Sequence, residues 1–243
     1  MRPEIAFILW MLALVVASMV VYRVTSSGRG HDDLTGRGGS FVLGFWVRNW
    51  FYWCIRPLTR ASIAAGFSPF VFNVIALMLG IAAGGLYATG HLASAGWMVL
   101  LSGLADVMDG EVARGTNVAD ARGAFIDSTL DRFSEFFTFV GMAVLFGSGT
   151  GSLWVVIALG GSLLVSYTRA RGESVGVLCK FGVMQRAERM LLVGLASVFD
   201  GAVGAAVGWP QGRVLIIAVA IIALGTVGTA VYRTVWISHR LGG

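Results

Sequence analysis

Five aspartates lie between residues 106 and 131 of a chain in which only 13% of residues are charged. Asp106 and Asp109 are three positions apart, and Asp127 and Asp131 are four apart. Because residues three or four apart share one face of an α-helix, each pair is predicted to project from one face of its own helix. Two such helices facing each other would form a cage of four carboxylates. Hard oxygen ligands of this kind suit Mg²⁺ or Mn²⁺, so we expect a metal site here.

Small and basic residues stand at fixed positions around these aspartates. Gly110 directly follows Asp109, Arg114 comes four residues after Gly110, and Gly123 lies four residues before Asp127. A glycine leaves room for a bulky phosphate or for close contact between helices. The region carries more acidic than basic residues, and such an excess in or beside a membrane requires a counter-cation.

A second cluster of charge is basic and falls between two later apolar segments. Arg169 and Arg171 come at the end of one segment, and Arg186 and Arg189 come at the start of the next. They could be ordinary positive residues of a cytoplasmic loop. If they converge beside the carboxylate cage, they would instead hold a phosphorylated ligand through bidentate hydrogen bonds.

The aspartate region has a defined overall spacing: Asp, two residues, Asp-Gly, two residues, Ala-Arg, eight residues, Gly, three residues, Asp, three residues, Asp. This arrangement resembles the signature of the CDP-alcohol phosphotransferase family, membrane enzymes that make phospholipids. Every fixed position is filled, by Asp106, Asp109, Gly110, Ala113, Arg114, Gly123, Asp127 and Asp131. The basic cluster resembles the phosphatidylinositol-phosphate synthase branch, through Ser166, Tyr167, Arg169, Ala170, Arg171, Glu173, Arg186, Glu188 and Arg189.

The resemblance implies a role for each matched side chain. Two ions, Mg²⁺ or Mn²⁺, would be bound by Asp106, Asp109, Asp127 and Asp131. Asp131 would also be the catalytic general base, taking the proton from the acceptor hydroxyl. The CDP-lipid would contact Asp106, Gly110, Arg114 and Gly123. The acceptor phosphate would be bound by Arg169, Arg171, Arg186 and Arg189.

The expected reaction is the transfer of a phosphatidyl group from CDP-diacylglycerol, or a related CDP-lipid, to a phosphorylated polyol such as inositol phosphate. CMP would be released, and a homodimer is expected from the same resemblance. Glycerol 3-phosphate or another alcohol is the alternative acceptor. A divalent-cation transporter lined by the four aspartates is a more distant alternative, because transport requires neither the Gly110 to Arg114 element nor a basic acceptor pocket.

The composition is that of a membrane protein. The chain has 56% hydrophobic residues, 34 glycines and a mean hydropathy of +0.79, which predicts an all-α integral membrane protein rather than a soluble domain. The net charge of +5 could indicate nucleic-acid binding, but the basic residues are scattered between apolar segments. Membrane lipids and phosphorylated substrates are therefore the expected partners, and nucleic acid is not.

Four regions are predicted along the chain. Residues 1–24 form an N-terminal transmembrane helix, 25–40 a flexible linker, 41–66 an interfacial amphipathic helix, and 67–243 a catalytic domain of six membrane helices. In the amphipathic helix the polar side is formed by Arg48, Asn49, Tyr52, Arg56, Thr59 and Arg60. The six spans are expected at 69–89, 92–109, 123–147, 153–171, 189–207 and 214–236.

The distribution of basic residues predicts the orientation in the membrane. If the chain alternates sides from span to span, only Arg2 and Arg213 lie outside, and all other basic residues lie on the inner side. The carboxylate cage would then face the cytoplasm from the cell's inner membrane. There it could bind a soluble nucleotide group and a lipid tail together.

Overall fold

The computed structural model describes residues 3–26, 44–179 and 181–242. Every regular element in these three stretches is an α-helix. The helices are α1 (Pro3–Ser26), α2 (Gly44–Ala64), α3 (Pro69–Ala88), α4 (Leu92–Gly115), α5 (Ala121–Phe146), α6 (Thr150–Ser174), α7 (Arg186–Val207) and α8 (Arg213–Gly242). The all-α class is therefore confirmed.

Five of these helices are long and apolar enough to cross a membrane, namely α3, α4, α6, α7 and α8. The helix α5 has 26 residues, but Asp131, Arg132 and Glu135 make its first half too charged to meet that criterion by composition. The helix α1 contributes only a shorter apolar stretch, Ala13–Thr25. The described residues thus confirm a helical membrane protein with at least five candidate spans.

The site-bearing helices extend beyond the predicted bounds. The helix α4 continues to Gly115, past the predicted end at 109, because no proline interrupts the sequence up to that glycine. The helix α7 begins at Arg186 and not at 189. As a result, Arg114 lies on the same helix as Asp106 and Asp109, and the Arg186/Arg189 pair occupies the first turn of α7.

The N-terminal helix packs against α2 through aromatic side chains. The ring of Tyr22 lies 6.0 Å from Trp46 and 5.8 Å from Trp53, measured between ring centroids. Trp50 Nε1 donates a hydrogen bond of 3.2 Å to Ser18 Oγ. The helix α1 ends at Ser26, and most of the linker predicted at 25–40 lies outside the described residues.

The predicted amphipathic helix has one side turned to the protein. Ile55 and Thr59 of α2 are buried against Met108 and Val112 of α4, and Thr59 Oγ1 lies 3.4 Å from Met108 Sδ and 3.2 Å from Ile55 O. Thr59 belongs to the predicted polar side of this helix, yet it is buried in the protein, where its hydroxyl bonds to its own helix. The helix α2 supports the segment of α4 that carries the aspartates.

Glycines bring α3 and α5 into close contact. A Cβ atom at Gly141 of α5 would collide with the backbone of Gly84, and one at Gly84 would collide with the carbonyl oxygen of Phe137. Between the same helices, Ser134 Oγ donates to Ala76 O at 3.2 Å. Small residues thus fix how far α5 lies from its neighbour, as is usual for helices that pack within lipid.

Substituting Gly141 by alanine is expected to lower the melting temperature in detergent, because α3 and α5 must separate to admit the methyl group. Overpacking of this kind costs about 1–3 kcal/mol. The matched control is Gly85→Ala on α3, where a new Cβ meets nothing within 4 Å. An equal loss of stability in the two variants would contradict the close packing described here.

The end of the bundle opposite the aspartates is fixed by a buried carboxylate. Asp200 of α7 accepts hydrogen bonds from the backbone nitrogens of Gly212 at 2.7 Å, Val214 at 3.0 Å and Leu215 at 3.1 Å. These amides begin α8, so Asp200 caps that helix from its neighbour. Along α7 it lies about 21 Å from Arg186, from the helical rise per residue.

Candidate active site

The carboxylates of α4 and α5 converge where the two helices meet. Oxygen atoms of Asp106, Asp127 and Asp131 all lie within 4.8 Å of one another. Asp109 is buried beside Asp127, outside this close group of three, and accepts a hydrogen bond from the backbone nitrogen of Gly110. The structure thus brings the four predicted carboxylates to one place, with three of them in close contact.

The carboxylate cluster, formed by Asp106, Asp109, Asp127 and Asp131, has the chemistry of a divalent-cation site. The buried Oδ1 atom of Asp127 accepts no hydrogen bond from any described residue, and an unpaired buried carboxylate oxygen is costly. Several carboxylates held this close repel one another unless a cation lies between them. All of the available donors are hard oxygens, so the residues present fit Mg²⁺ or Mn²⁺.

Arg186 contacts this cluster more closely than the other nearby arginine, Arg132, whose Nη1 atom lies 3.6 Å from Asp131 Oδ2. Arg186 is the first residue of α7, and its Nη1 atom forms an ion pair with Asp106 Oδ1, while its Nη2 atom lies 2.8 Å from Asp131 Oδ1. Its side chain is only 12% exposed. A single guanidinium therefore connects one carboxylate of α4 with one of α5.

Two other predicted phosphate ligands lie at the exposed end of α6. Arg169 Nε is 3.0 Å from Glu173 Oε1, and Arg171 Nη1 donates to Ser174 Oγ at 3.3 Å. Both arginines are largely exposed. Neither arginine contacts the carboxylate cluster in this structure.

Arg189 is placed differently from the prediction. Its Nε and Nη2 atoms donate to the two carboxylate oxygens of Glu135 at 2.7 and 2.9 Å, and its Nη1 atom donates to Met184 O at 3.0 Å. The arginine is 2% exposed and Glu135 is 5% exposed. With its guanidinium buried in these contacts, Arg189 does not touch the carboxylate cluster in this structure.

Glu135 was not selected by the sequence analysis, although a signal for it existed. It continues the four-residue spacing of Asp127 and Asp131 along α5, so all three carboxylates lie on one helical face. Glu135 lies outside the aspartate motif, which ends at Asp131, and so it was not predicted to be a site residue. The spacing alone could have placed it beside the basic cluster.

A cleft of about 480 Å³ opens on the other side of the cluster. Its walls include Asp109 and Asp127, and also the predicted CDP-lipid contacts Gly110, Arg114 and Gly123. Pockets of a few hundred cubic ångströms are typical of small-ligand sites. Asp106, which was also predicted to contact the CDP-lipid, does not line the cleft, because it faces Arg186.

The cleft contains residues that the motif did not identify. Asn73, buried near the start of α3, lines one wall, and Arg122 of α5 lines another. The connection between α4 and α5 closes the cleft, where Asp120 caps α5 by accepting a hydrogen bond of 2.7 Å from the Gly123 nitrogen. Asn73 lies outside the aspartate motif, because α3 is distant from that motif in sequence.

The segment that leads into α7 is fastened by an arginine of α8. Arg233 is 2% exposed, and it donates from Nε to Phe181 O and from Nη1 to Val165 O, both at 2.8 Å. These bonds tie the segment before α7 to α6 and α8. Arg233 therefore holds the residues just before α7, and with them the backbone from which Arg186 extends.

Comparison with known sequences gives consistent matches. The sequence profile described as CDP-alcohol phosphatidyltransferase matches residues 57–232. An archaetidylinositol phosphate synthase of Methanothermobacter thermautotrophicus is 41% identical over 116 residues, which cover 48% of this chain and 58% of that protein. A phosphatidylinositol phosphate synthase of Streptomyces avermitilis is 32% identical over 225 residues, which cover 89% of this chain and 90% of that protein.

Comparison with solved structures finds the same helical arrangement. The phosphatidylinositol phosphate synthase of Mycobacterium tuberculosis with CDP-DAG bound is 25% identical and matches with a TM-score of 0.65 over 74% of this chain and 92% of that chain. The same enzyme in complex with manganese and citrate matches equally well, over 87% of its chain.

Proposed function

The chain belongs to the CDP-alcohol phosphatidyltransferase family, and from this membership we propose that it transfers a phosphatidyl group from CDP-diacylglycerol to inositol phosphate, releasing CMP. It is an integral membrane enzyme of phospholipid synthesis. Relatives named archaetidylinositol phosphate synthase and phosphatidylinositol phosphate synthase and a similar structure with CDP-DAG bound support this pair of substrates.

One observation supports the proposal most strongly: the guanidinium of Arg186 contacts Asp106 and Asp131 beside the cleft that Asp109 and Asp127 line. The cleft has the size for a nucleotide, and the guanidinium of Arg114 lies over Gly110 in its wall. Arg186 supplies a nearly buried cation for the acceptor phosphate, because a planar guanidinium binds phosphate oxygens in pairs. Both substrates then meet at the carboxylate cluster.

In the proposed reaction the acceptor hydroxyl attacks the phosphorus that carries the diacylglycerol. A new oxygen–phosphorus bond forms, the bond from that phosphorus to the oxygen of CMP breaks, and CMP leaves with the electron pair. Asp131 accepts the hydroxyl proton. Because Arg186 contacts Asp131 at 2.8 Å, an acceptor phosphate held by Arg186 brings the acceptor hydroxyl close to the base.

We propose that two divalent ions, Mg²⁺ or Mn²⁺, are bound by Asp106, Asp109, Asp127 and Asp131. When bound, such ions neutralise the pyrophosphate of the CDP-lipid and stabilise the charge on departing CMP. The unpaired Oδ1 atom of Asp127 and the manganese complex of the Mycobacterium tuberculosis enzyme support a divalent metal here.

For the membrane arrangement, we propose that α5 is the sixth span of the catalytic domain and that α1 is an additional N-terminal anchor. The basic ends of α4, α6 and α7 would face the cytoplasm from the inner membrane, following the distribution of arginines. The polar first half of α5 is then protected by its neighbours, with Glu135 paired to Arg189. We also propose that the protein is a homodimer.

Purified protein in detergent, supplied with CDP-diacylglycerol and Mg²⁺ or Mn²⁺, tests the proposed function. CMP release should require the divalent ion and should be fastest with inositol phosphate, compared with glycerol 3-phosphate and unphosphorylated inositol. Release that is fastest with glycerol 3-phosphate would replace the acceptor and keep the reaction. Release that is equal with inositol would contradict a phosphate-binding role for Arg186.

A further inference from the structure

Glu135 and Arg189 form a buried ion pair close to the reacting groups without belonging to them. Neither residue lines the cleft, and neither belongs to the carboxylate cluster. Both of their charges are removed from water, and a buried charge needs a partner with good geometry to remain. Arg189 donates two parallel hydrogen bonds, of 2.7 and 2.9 Å, to the two oxygens of Glu135. This bidentate geometry fixes the orientation of both side chains and also neutralises their charges.

This pair is one of two parallel connections between α5 and α7. On α5, Asp131 and Glu135 are four residues apart, and on α7 their partners Arg186 and Arg189 are three apart. Residues at these spacings share a helical face, so Glu135–Arg189 lies one turn deeper than Asp131–Arg186. In the described residues α5 packs mainly on α3 and α6, and α7 mainly on α4 and α8. The two ion pairs therefore bridge helices with little direct contact.

Arg189 also fixes the point where α7 begins. Its Nη1 atom donates to the carbonyl oxygen of Met184 at 3.0 Å, just ahead of Gln185, the N-cap residue. The first turn of a helix is its least constrained part, and Arg186 projects from that turn. A long arginine side chain also loses considerable rotamer freedom when it is held in one orientation. The buried pair therefore restricts the backbone from which Arg186 extends.

We infer that Glu135 and Arg189 are positioning residues, which hold the start of α7 so that Arg186 faces both Asp131 and the acceptor phosphate. This inference rests on the proposed function, in which Arg186 binds the acceptor. Glu135 recognises no substrate itself. Its carboxylate acts on the reaction through Arg189 and the first turn of α7.

Glu135→Gln tests the inference, because it keeps the shape of the side chain and removes the charge that orients Arg189. The apparent KM for inositol phosphate should rise by roughly ten- to a hundredfold, since small misplacements of a binding group cost on this order. The apparent KM for CDP-diacylglycerol should stay nearly unchanged. A variant that is merely destabilised would show either no change in these constants or a similar change in both.

Combination with Arg186→Gln makes the test specific. If Glu135 acts through Arg186, the double variant should have nearly the same KM for inositol phosphate as Arg186→Gln alone, because residues that share one function are not additive. Multiplied effects in the double variant would overturn the inference. So would an unchanged acceptor KM in folded Glu135→Gln.

Two further variants control for folding. Asp200→Asn weakens a buried carboxylate cap at the far end of α7 and should lower the melting temperature without changing the acceptor KM.

If Glu135→Gln fails to fold, Arg189→Lys makes the same test, because an ammonium keeps the charge but cannot hold Glu135 and the Met184 carbonyl with one planar group. A folded Arg189→Lys protein with normal acceptor KM would refute the inference. Failure of the proposed function is distinct, since the wild-type protein would then release no CMP with inositol phosphate or would release it faster with another acceptor.

Discussion

Replacing Asp127 by asparagine is expected to reduce the rate of CMP release by more than about a hundredfold. The change removes a charged oxygen ligand from the centre of the cluster, where Oδ1 of Asp127 is buried without a hydrogen bond from the described residues. Loss of an outer partner of a metal ligand already costs about 10- to 100-fold in affinity or activity, so loss of the ligand itself should cost more. Isothermal titration with Mn²⁺ in detergent should show correspondingly weaker binding.

The matched control for this variant is Asp200→Asn, which also neutralises a buried carboxylate. Asp200 lies at the end of the bundle opposite the carboxylate cluster. That control should bind Mn²⁺ as the wild-type protein does. If Asp127→Asn kept the wild-type affinity for Mn²⁺ and the wild-type rate, the assignment of the carboxylate cluster as a metal site would be wrong.

Replacing Asp131 by asparagine is expected to lower kcat by roughly 10²- to 10⁴-fold, the usual contribution of a general base. Asparagine keeps an oxygen that can accept a hydrogen bond from Arg186, but it cannot take a proton from the acceptor hydroxyl. The apparent KM for CDP-diacylglycerol should change much less than kcat, since the cleft is lined by Asp109 and Asp127 and not by Asp131. Initial rates at varied CDP-diacylglycerol measure both quantities.

The contrary outcome for Asp131→Asn is equally informative. If metal affinity and CDP-lipid affinity fell as strongly as kcat, Asp131 would act mainly as a metal ligand. The comparison with Asp127→Asn separates the two roles, because both side chains project from the same face of α5 and differ by one helical turn.

The aspartate site could be predicted from the sequence because its information is local. Residues three or four apart on a helix must share a face, and this rule brought Asp106 and Asp109 onto one helix and Asp127 and Asp131 onto another. That α4 and α5 face each other was inferred because carboxylates from both helices could share a divalent cation. The structure brings the four carboxylates together. The apolar composition likewise predicted the helical membrane architecture.

The basic residues were harder to place, because their roles depend on contacts between distant segments. Arg186 and Arg189 look equivalent in sequence, yet one meets Asp106 and the other is buried against Glu135. That difference depends on how α7 is rotated relative to α5, which no local pattern determines. A long side chain can reach either a substrate or a neighbouring helix, so the type of residue alone does not decide its role.

The packing of α2 was also beyond the sequence, for a related reason. A helix with a polar side and an aromatic side is typical of a membrane surface, but the same pattern permits contact with a neighbouring helix. Thr59 counted as polar in the sequence, whereas in the structure it is buried and its hydroxyl lies 3.2 Å from Ile55 O and 3.4 Å from Met108 Sδ. Small hydroxyl side chains are ambiguous in this way, because they can bond to their own helix.

The carboxylate cluster has one side toward the cleft and another toward Arg186, and this arrangement bears on the order in which substrates bind and products leave. The cleft reaches Asp109 and Asp127, whereas Arg186 contacts Asp106 and Asp131. In the proposed function the lipid donor and the acceptor would therefore bind at separate places and form one ternary complex. The phosphatidyl group would then pass directly between them without a covalent phosphatidyl-enzyme intermediate, and CMP would leave after the new lipid has formed.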